Sequence, residues 1–170
     1  MSKVKKFQTP EIISSQKKAI LLVASAIILI IIFRALASPC RYTGDCMKPA
    51  LKEGSLYFLN RLSPYFRSYR IGDIVVFKYE EKDWVARIVA LENDTIKITF
   101  NNIMVNNATL QEVNIQRNWV DWHYGTYAIE SDLSIPTNHV YVLSDNLSAH
   151  HDDSRVFGPI PKSSLSGVLW

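Results

Sequence analysis

Cys46 is the side chain whose setting points most directly to chemistry. It lies in Thr43-Gly44-Asp45-Cys46-Met47-Lys48-Pro49-Ala50-Leu51-Lys52-Glu53-Gly54, between a flexible glycine and a rigid proline. Such a pair lets a chain present one side chain in an exposed, fixed position. A thiol is also the side chain that needs least help to attack a carbonyl, because a few per cent of it is thiolate at neutral pH. The other cysteine, Cys40, is six positions earlier. With two cysteines and no CxxC pair or Cys/His cluster, the chain offers neither a zinc motif nor a disulfide framework. No metal or cofactor is expected.

The elements that must position Cys46 divide into a leader and a β-rich body. Of 170 residues, 48% are apolar and 21% charged, ordinary values for one folded domain. The net charge of +3 belongs to the leader: Lys3, Lys5, Lys6, Lys17 and Lys18 face only Glu11 in residues 1–18, and Arg34 follows the apolar run. That asymmetry argues for membrane orientation and against nucleic-acid binding. Residues 19–33 carry no charge, and with Arg34 snorkelling, 19–37 is long enough to span a bilayer. Lysines before the span and few charges after it place the N-terminus inside. The expected organisation is a basic cytoplasmic tail at 1–18, an anchor at 19–37 and an extracytoplasmic domain at 38–170. The same run, ending in Ala35-Leu36-Ala37, also fits a cleavable signal peptide. Beyond the membrane oxidation is permitted. A Cys40–Cys46 bond would need the chain to turn back at Arg41–Asp45.

After Gly54 the signals are β. Ser55–Leu59, Ile74–Tyr79, Trp84–Leu91, Thr95–Phe100, Ile103–Val105, Val140–Leu143 and Leu165–Trp170 are apolar, β-branched or alternating runs bounded by turn residues. Pro64 to Arg70 reads as an aromatic, basic loop. Residues 107–134 read as an inserted loop or hairpin containing Trp119 and Trp122. In the Trp84–Leu91 strand, alternation puts Ala86, Ile88 and Ala90 on one apolar face.

Four blocks, in order, resemble the type I signal peptidase family, whose activity rests on a Ser/Lys dyad. The first is the Cys46 segment, similar to the family's nucleophile box. The second is Arg70-Ile71-Gly72-Asp73-Ile74-Val75-Val76-Phe77. The third is Val85-Ala86-Arg87-Ile88-Val89-Ala90-Leu91-Glu92-Asn93-Asp94, similar to I-K-R-V-[IV]-G-L-P-G-D. The fourth is Leu143-Ser144-Asp145-Asn146 with Asp153-Ser154-Arg155-Val156-Phe157-Gly158, similar to G-D-N…D-S-R-x-x-G. The resemblance covers about residues 15–170. It implies a mainly β, signal-peptidase-like domain on a single N-terminal transmembrane helix, in the cytoplasmic (inner) membrane. The implied function is endoproteolytic removal of signal peptides from exported pre-proteins, so signal peptides and the lipid bilayer are the implied partners.

The match departs from the family at the chemistry. The nucleophile position holds Cys46, and the general-base position holds Ala86, which accepts no proton. Gly44 stands where many members have an oxyanion serine, so the implied oxyanion contributors are Cys46 and Gly44. An extra residue in the fourth block brings His150 and His151 near the site, and either could serve as an alternative base and lower the thiol pKa. Asp145, Asn146, Asp153, Ser154 and Arg155 are the implied structural shell, and Arg87 reads as structural. Two readings stand at this point: a signal peptidase with a cysteine nucleophile, or a catalytically inactive homologue that binds pre-proteins or partner subunits.

Overall fold

A computed structural model describes residues 11–99, 102–110, 115, 124–128, 130–148 and 151–170. His150, Trp119, Trp122, Phe100 and residues 1–10 of the basic tail lie outside the described residues. The chain divides into two compact units between Leu36 and Ala37. The first contains helix α1, Glu11–Leu36. Within it Gln16–Arg34 is long and apolar enough to cross a membrane. At 1.5 Å per residue those nineteen residues reach ~28 Å, close to a hydrocarbon core. Their side chains are exposed on all sides, as expected of a helix without a polar face.

The second unit is mainly β. Strands β1 (Ala37–Arg41), β2 (Leu56–Asn60), β3 (Ile74–Tyr79), β4 (Lys82–Ala90), β9 (His139–Leu143), β10 (Ile160–Pro161) and β11 (Leu165–Leu169) form one sheet. Its order is β1-β2-β11-β3-β4-β9-β10, and every neighbouring pair is antiparallel. A smaller antiparallel sheet has the order β7-β6-β5-β8, from β5 (Thr95–Ile98), β6 (Ile103–Val105), β7 (Ala108–Thr109) and β8 (Leu133–Ser134). Two one-turn helices, α2 (Ser63–Phe66) and α3 (Ser154–Phe157), punctuate the connections. Pro64 in the first turn of α2 presets its φ, so the segment expected as a loop holds a helical turn.

Strand β1 had no counterpart in the sequence reading. Ala-Ser-Pro-Cys-Arg has little intrinsic β preference; the strand exists because Ala37 to Arg41 pairs along the whole of β2. It also takes Ala37 out of the helix. Prolines are tolerated on such an edge.

The core sits on both faces of the large sheet. Val140 and Val142 of β9 enter one cluster with Val75, Phe77, Ala86, Ile88, Ile160 and Val168. Tyr141 and Leu143 enter another with Ile96, Ile98 and Ile103 of the small sheet. Both faces of β9 are therefore buried, which explains its unbroken apolar run. In β4, Ala86 and Ile88 share the first face, but Ala90 falls in the second cluster. A bulge between Ile88 and Ala90, where β4 pairs with β9, inserts one residue and reverses the alternation. The expected single face Ala86/Ile88/Ala90 is corrected accordingly. A third cluster, Tyr42, Met47, Leu51, Leu59, Val76 and Leu169, underlies the Cys46 turn.

Candidate functional site

The Cys46 turn is a loop closed on itself. Tyr42 N–H donates to Ser55 O (3.1 Å) and Gly54 N–H to Tyr42 O (2.8 Å), so the chain leaves β1 and returns to β2 at one point. Inside it, Lys48 N–H donates to Asp45 O and Leu51 N–H to Met47 O. The Lys48-Pro49 peptide is cis. Met47 is fully buried and Leu51 nearly so. Burying two such side chains stabilises the turn by roughly 1.5–3 kcal/mol each. Gly44 has φ +126°, a conformation that L side chains rarely adopt. A serine there would be strained, so the oxyanion hydroxyl that the resemblance implies at this position has no easy place in this backbone.

Cys46 is half-buried and lines a cleft of about 520 Å³. Strand β1 supplies one wall, Val76 and Val85 of the paired β3 and β4 another, and Ser144, His151 and Asp152 a third. The sulfur lies 3.1 Å from the Tyr42 hydroxyl, which also accepts the Met47 N–H at 3.0 Å. Burial pushes the Cys46 thiol above its ordinary value; the Tyr42 hydrogen bond pulls it back, and the negative charge of Asp45 adds to the rise. Both cysteines are free. Cys40 donates to Tyr57 O at 3.6 Å, and the considered Cys40–Cys46 bond is absent. Burial raises the Cys40 thiol as well.

The second chain segment at the site, 143–158, is held to the first through backbone. Asn146 N–H donates to Cys46 O at 2.8 Å, and its side-chain amide donates to Asp45 O at 3.3 Å. The Asn146 side-chain oxygen accepts from Ser148 Oγ at 2.6 Å. Asp145, fully buried, takes a two-pronged hydrogen bond from Arg87 (Nε to Oδ1 2.7 Å, Nη2 to Oδ2 2.5 Å). Arg87 also donates to Gly72 O, tying β4, the β3 entry and the loop into one unit. Asp153 and Arg155 form a second fork, 2.8 and 2.9 Å, with side chains 0% and 1% exposed. Asp153 caps α3 through the Arg155 N–H and accepts the Ser144 N–H. Ser154 Oγ accepts from Val142 N–H at 2.9 Å. Among the described residues, no buried side-chain nitrogen or oxygen lacks a partner. Gly125 sits so close to this loop that a Cβ there would stand 2.2 Å from Arg155 O.

The remaining candidates separate. Ala86 is 1% exposed and packs among Val75, Phe77, Ile88, Val140 and Val142, not in the cluster against which Cys46 rests. Ala86 itself does not line the cleft, whereas its β4 neighbours Asp83, Trp84 and Val85 share it with Cys46. His151 lines that cleft, but its Nε2 bonds Asp45 Oδ1 at 3.0 Å, while the sulfur's hydrogen bond goes to Tyr42. The His151 contact holds the Asp45 carboxyl below its ordinary value. Sequence reasoning missed Tyr42 altogether. The available signal was an aromatic hydroxyl four residues before the thiol, where a one-turn reversal returns it to the sulfur.

The chain is similar to known proteins. The family described as signal peptidase, peptidase S26, matches residues 15–169. A signal peptidase I P from Bacillus subtilis subsp. natto is 31% identical, over 89% of this chain and 83% of its own length. A signal peptidase I S from Bacillus subtilis (strain 168) is 26% identical, over 91% of this chain and 89% of its own. Thylakoidal processing peptidase 1 of Arabidopsis thaliana is 29% identical over 84% of this chain and 44% of its own length. With more than two thirds of those bacterial relatives covered and residues 15–169 matched by the family, the chain belongs to the signal peptidase family, peptidase S26.

Proposed function

We propose that this protein is a membrane-anchored endopeptidase that removes signal peptides from exported pre-proteins, using Cys46 as its nucleophile. The observation that carries the reading is Cys46 itself, held in a cleft with its carbonyl clamped by Asn146. His151, oriented through Nε2 by Asp45, is the base: its Nδ1 takes the thiol proton, directly or through one water. The sulfur then adds to the peptide carbonyl carbon, and the carbonyl oxygen becomes an oxyanion facing the Cys46 and Gly44 N–H groups. The C–N bond breaks as the amine takes the proton from the imidazolium, leaving a thioester on Cys46. Water hydrolyses the thioester and restores the thiol. The substrate lies in the cleft as an extended chain. The Asp145/Arg87 and Asp153/Arg155 forks hold the loop under the site.

In this reading residues 1–18 are a cytoplasmic tail, 19–37 the anchor and 38–170 a domain on the extracytoplasmic side of the cytoplasmic membrane. The five lysines before the span support that orientation. The deciding experiment is cleavage of a purified pre-protein by the full chain in detergent, compared with Cys46→Ala. Cleavage by the wild type alone is the expected result. Binding of pre-protein without cleavage by the wild type would instead establish the inactive homologue. A reporter fused after Trp170 should be active only outside the cytoplasm.

A further inference from the structure

The Tyr42 hydroxyl touches the atom on which this chemistry turns. Its oxygen accepts the Met47 N–H at 3.0 Å and stands 3.1 Å from Cys46 Sγ. A phenol carries one proton. With a lone pair committed to the amide, the hydroxyl presents that proton to the sulfur. Tyr42 is 6% exposed, its side chain packs in the cluster of Met47, Leu51 and Leu59, and its backbone is bonded to Ser55 and Gly54. Gly44 lies beside this hydroxyl: a Cβ there would stand 3.7 Å from the Tyr42 oxygen, an ordinary van der Waals contact.

We propose that Tyr42 is a further catalytic residue, whose hydroxyl donates a hydrogen bond to the Cys46 thiolate and stabilises it. This rests on Cys46 being the nucleophile. When the thiol proton leaves for the base, the electron pair stays on sulfur and the Tyr42 O–H bonds to it without giving up its own proton. Tyr42 is a donor and not a base, since burial holds its phenol well above the ordinary value. The need for such a donor comes from the surroundings. Burial disfavours the thiolate, and the carboxylates Asp45 and Asp153 repel it. Arg41, Arg61, Asp83, His151 and Asp152 also line the cleft, a mixed set in which no described side chain other than Tyr42 hydrogen-bonds the sulfur.

The test is the pH profile of Cys46 alkylation by iodoacetamide in the full chain in detergent, with peptide masses separating Cys46 from Cys40. A hydrogen bond to a charged group is strong enough that Tyr42→Phe should leave about tenfold less thiolate at a given pH. The Cys46 profile moves to higher pH while Cys40 labelling stays as in the wild type. An unmoved Cys46 profile overturns the proposal. Because Tyr42→Phe also strips the Met47 N–H of its acceptor, a ring-fluorinated tyrosine at position 42 provides a second variant of the same shape. Its more acidic phenol should move the profile to lower pH, and no movement overturns the proposal even if Tyr42→Phe does not fold. Neither readout needs peptidase activity, so a wild type that fails to cleave sinks the nucleophile reading, and an insensitive alkylation profile sinks the role of Tyr42.

Discussion

Two segments meet at Cys46, and they are built on opposite terms. The loop 143–158 is fixed by side chains: two charged forks, Arg87–Asp145 and Arg155–Asp153, buried and fully hydrogen-bonded. The turn 42–54 is fixed by backbone contacts, by apolar burial of Met47 and Leu51 and by the Tyr42 hydroxyl on the Met47 N–H, with no buried ion pair of its own. On the proposed mechanism, the loop therefore carries stability and the turn carries chemistry. A nucleophile can change from serine to cysteine on such a turn without disturbing the fold. An arginine or aspartate in the loop cannot change so cheaply, because removing either partner strands a buried charge.

The first way to break this comparison is Cys46→Ala. It should lower pre-protein cleavage on the order of 10⁴–10⁶-fold, as loss of a nucleophile does elsewhere, and leave the urea melt of the domain almost unchanged. A large loss of stability would place Cys46 among the structural residues. The second is Asp153→Ala, which strands Arg155, uncaps α3 and frees the Ser144 N–H. The expected cost is about 3–5 kcal/mol in the same melt. A cost below about 1 kcal/mol would mean that the loop is not held as described.

The third concerns position 86. Replacing Ala86 by Lys puts a long cationic side chain among Val75, Phe77, Ile88 and Val142. The domain should lose about 1–3 kcal/mol from overpacking alone, and the new amine should titrate well below an ordinary lysine. An amine in such a setting would be a neutral base, so combining Ala86→Lys with Cys46→Ser sharpens the comparison. Cleavage by that pair would mean that the cleft reaches position 86. Silence from a folded double variant would mean that position 86 is closed off from the cleft. Adding Gly44→Ser is not expected to help, given its backbone at φ +126°.

What the residues disclosed in advance follows from what is local. The runs Ile74–Tyr79 and Val140–Leu143 lie within the strands they announce, because β-branched and aromatic side chains on buried faces leave a pattern in the chain itself. The members of the forks were legible singly, Asp145, Asp153 and Arg155 as the implied shell and Arg87 as structural, but the pairing of Arg87 with Asp145 bridges 58 residues and emerges only in the fold. Three further features were not legible. Strand β1 depends on its partner β2, with nothing in Ser38-Pro39-Cys40 to declare it. The bulge after Ile88 depends on register against β9. Tyr42 acquires its place only when Gly54 and Ser55 close the turn, a contact that no window of residues contains.

The smallest expected effect belongs to the pair that joins the two segments by side chains, His151 and Asp45. Both ends are partly exposed, 36% and 51%, so the bond contributes little to folding at neutral pH. Its signature is its pH dependence. The His151 hydrogen bond, then the positive charge of a protonated His151 and of Lys48, hold the folded Asp45 carboxyl below its ordinary value. A depressed carboxyl adds stability that is fully present above its unfolded value, ~4, and is lost as pH falls through its lower folded value. Melting curves of the wild type and Asp45→Asn should therefore differ slightly at pH 6 and converge as the pH drops towards ~3. If the two curves stay apart in acid, the difference comes from packing and not from the carboxylate. If His151 is the base, as proposed, the catalytic readout should move far more than the melt, because losing Asp45 also releases the His151 imidazole. A variant that keeps full cleavage while its melt shifts would place the pair in the structural loop and remove it from the chemistry of the turn.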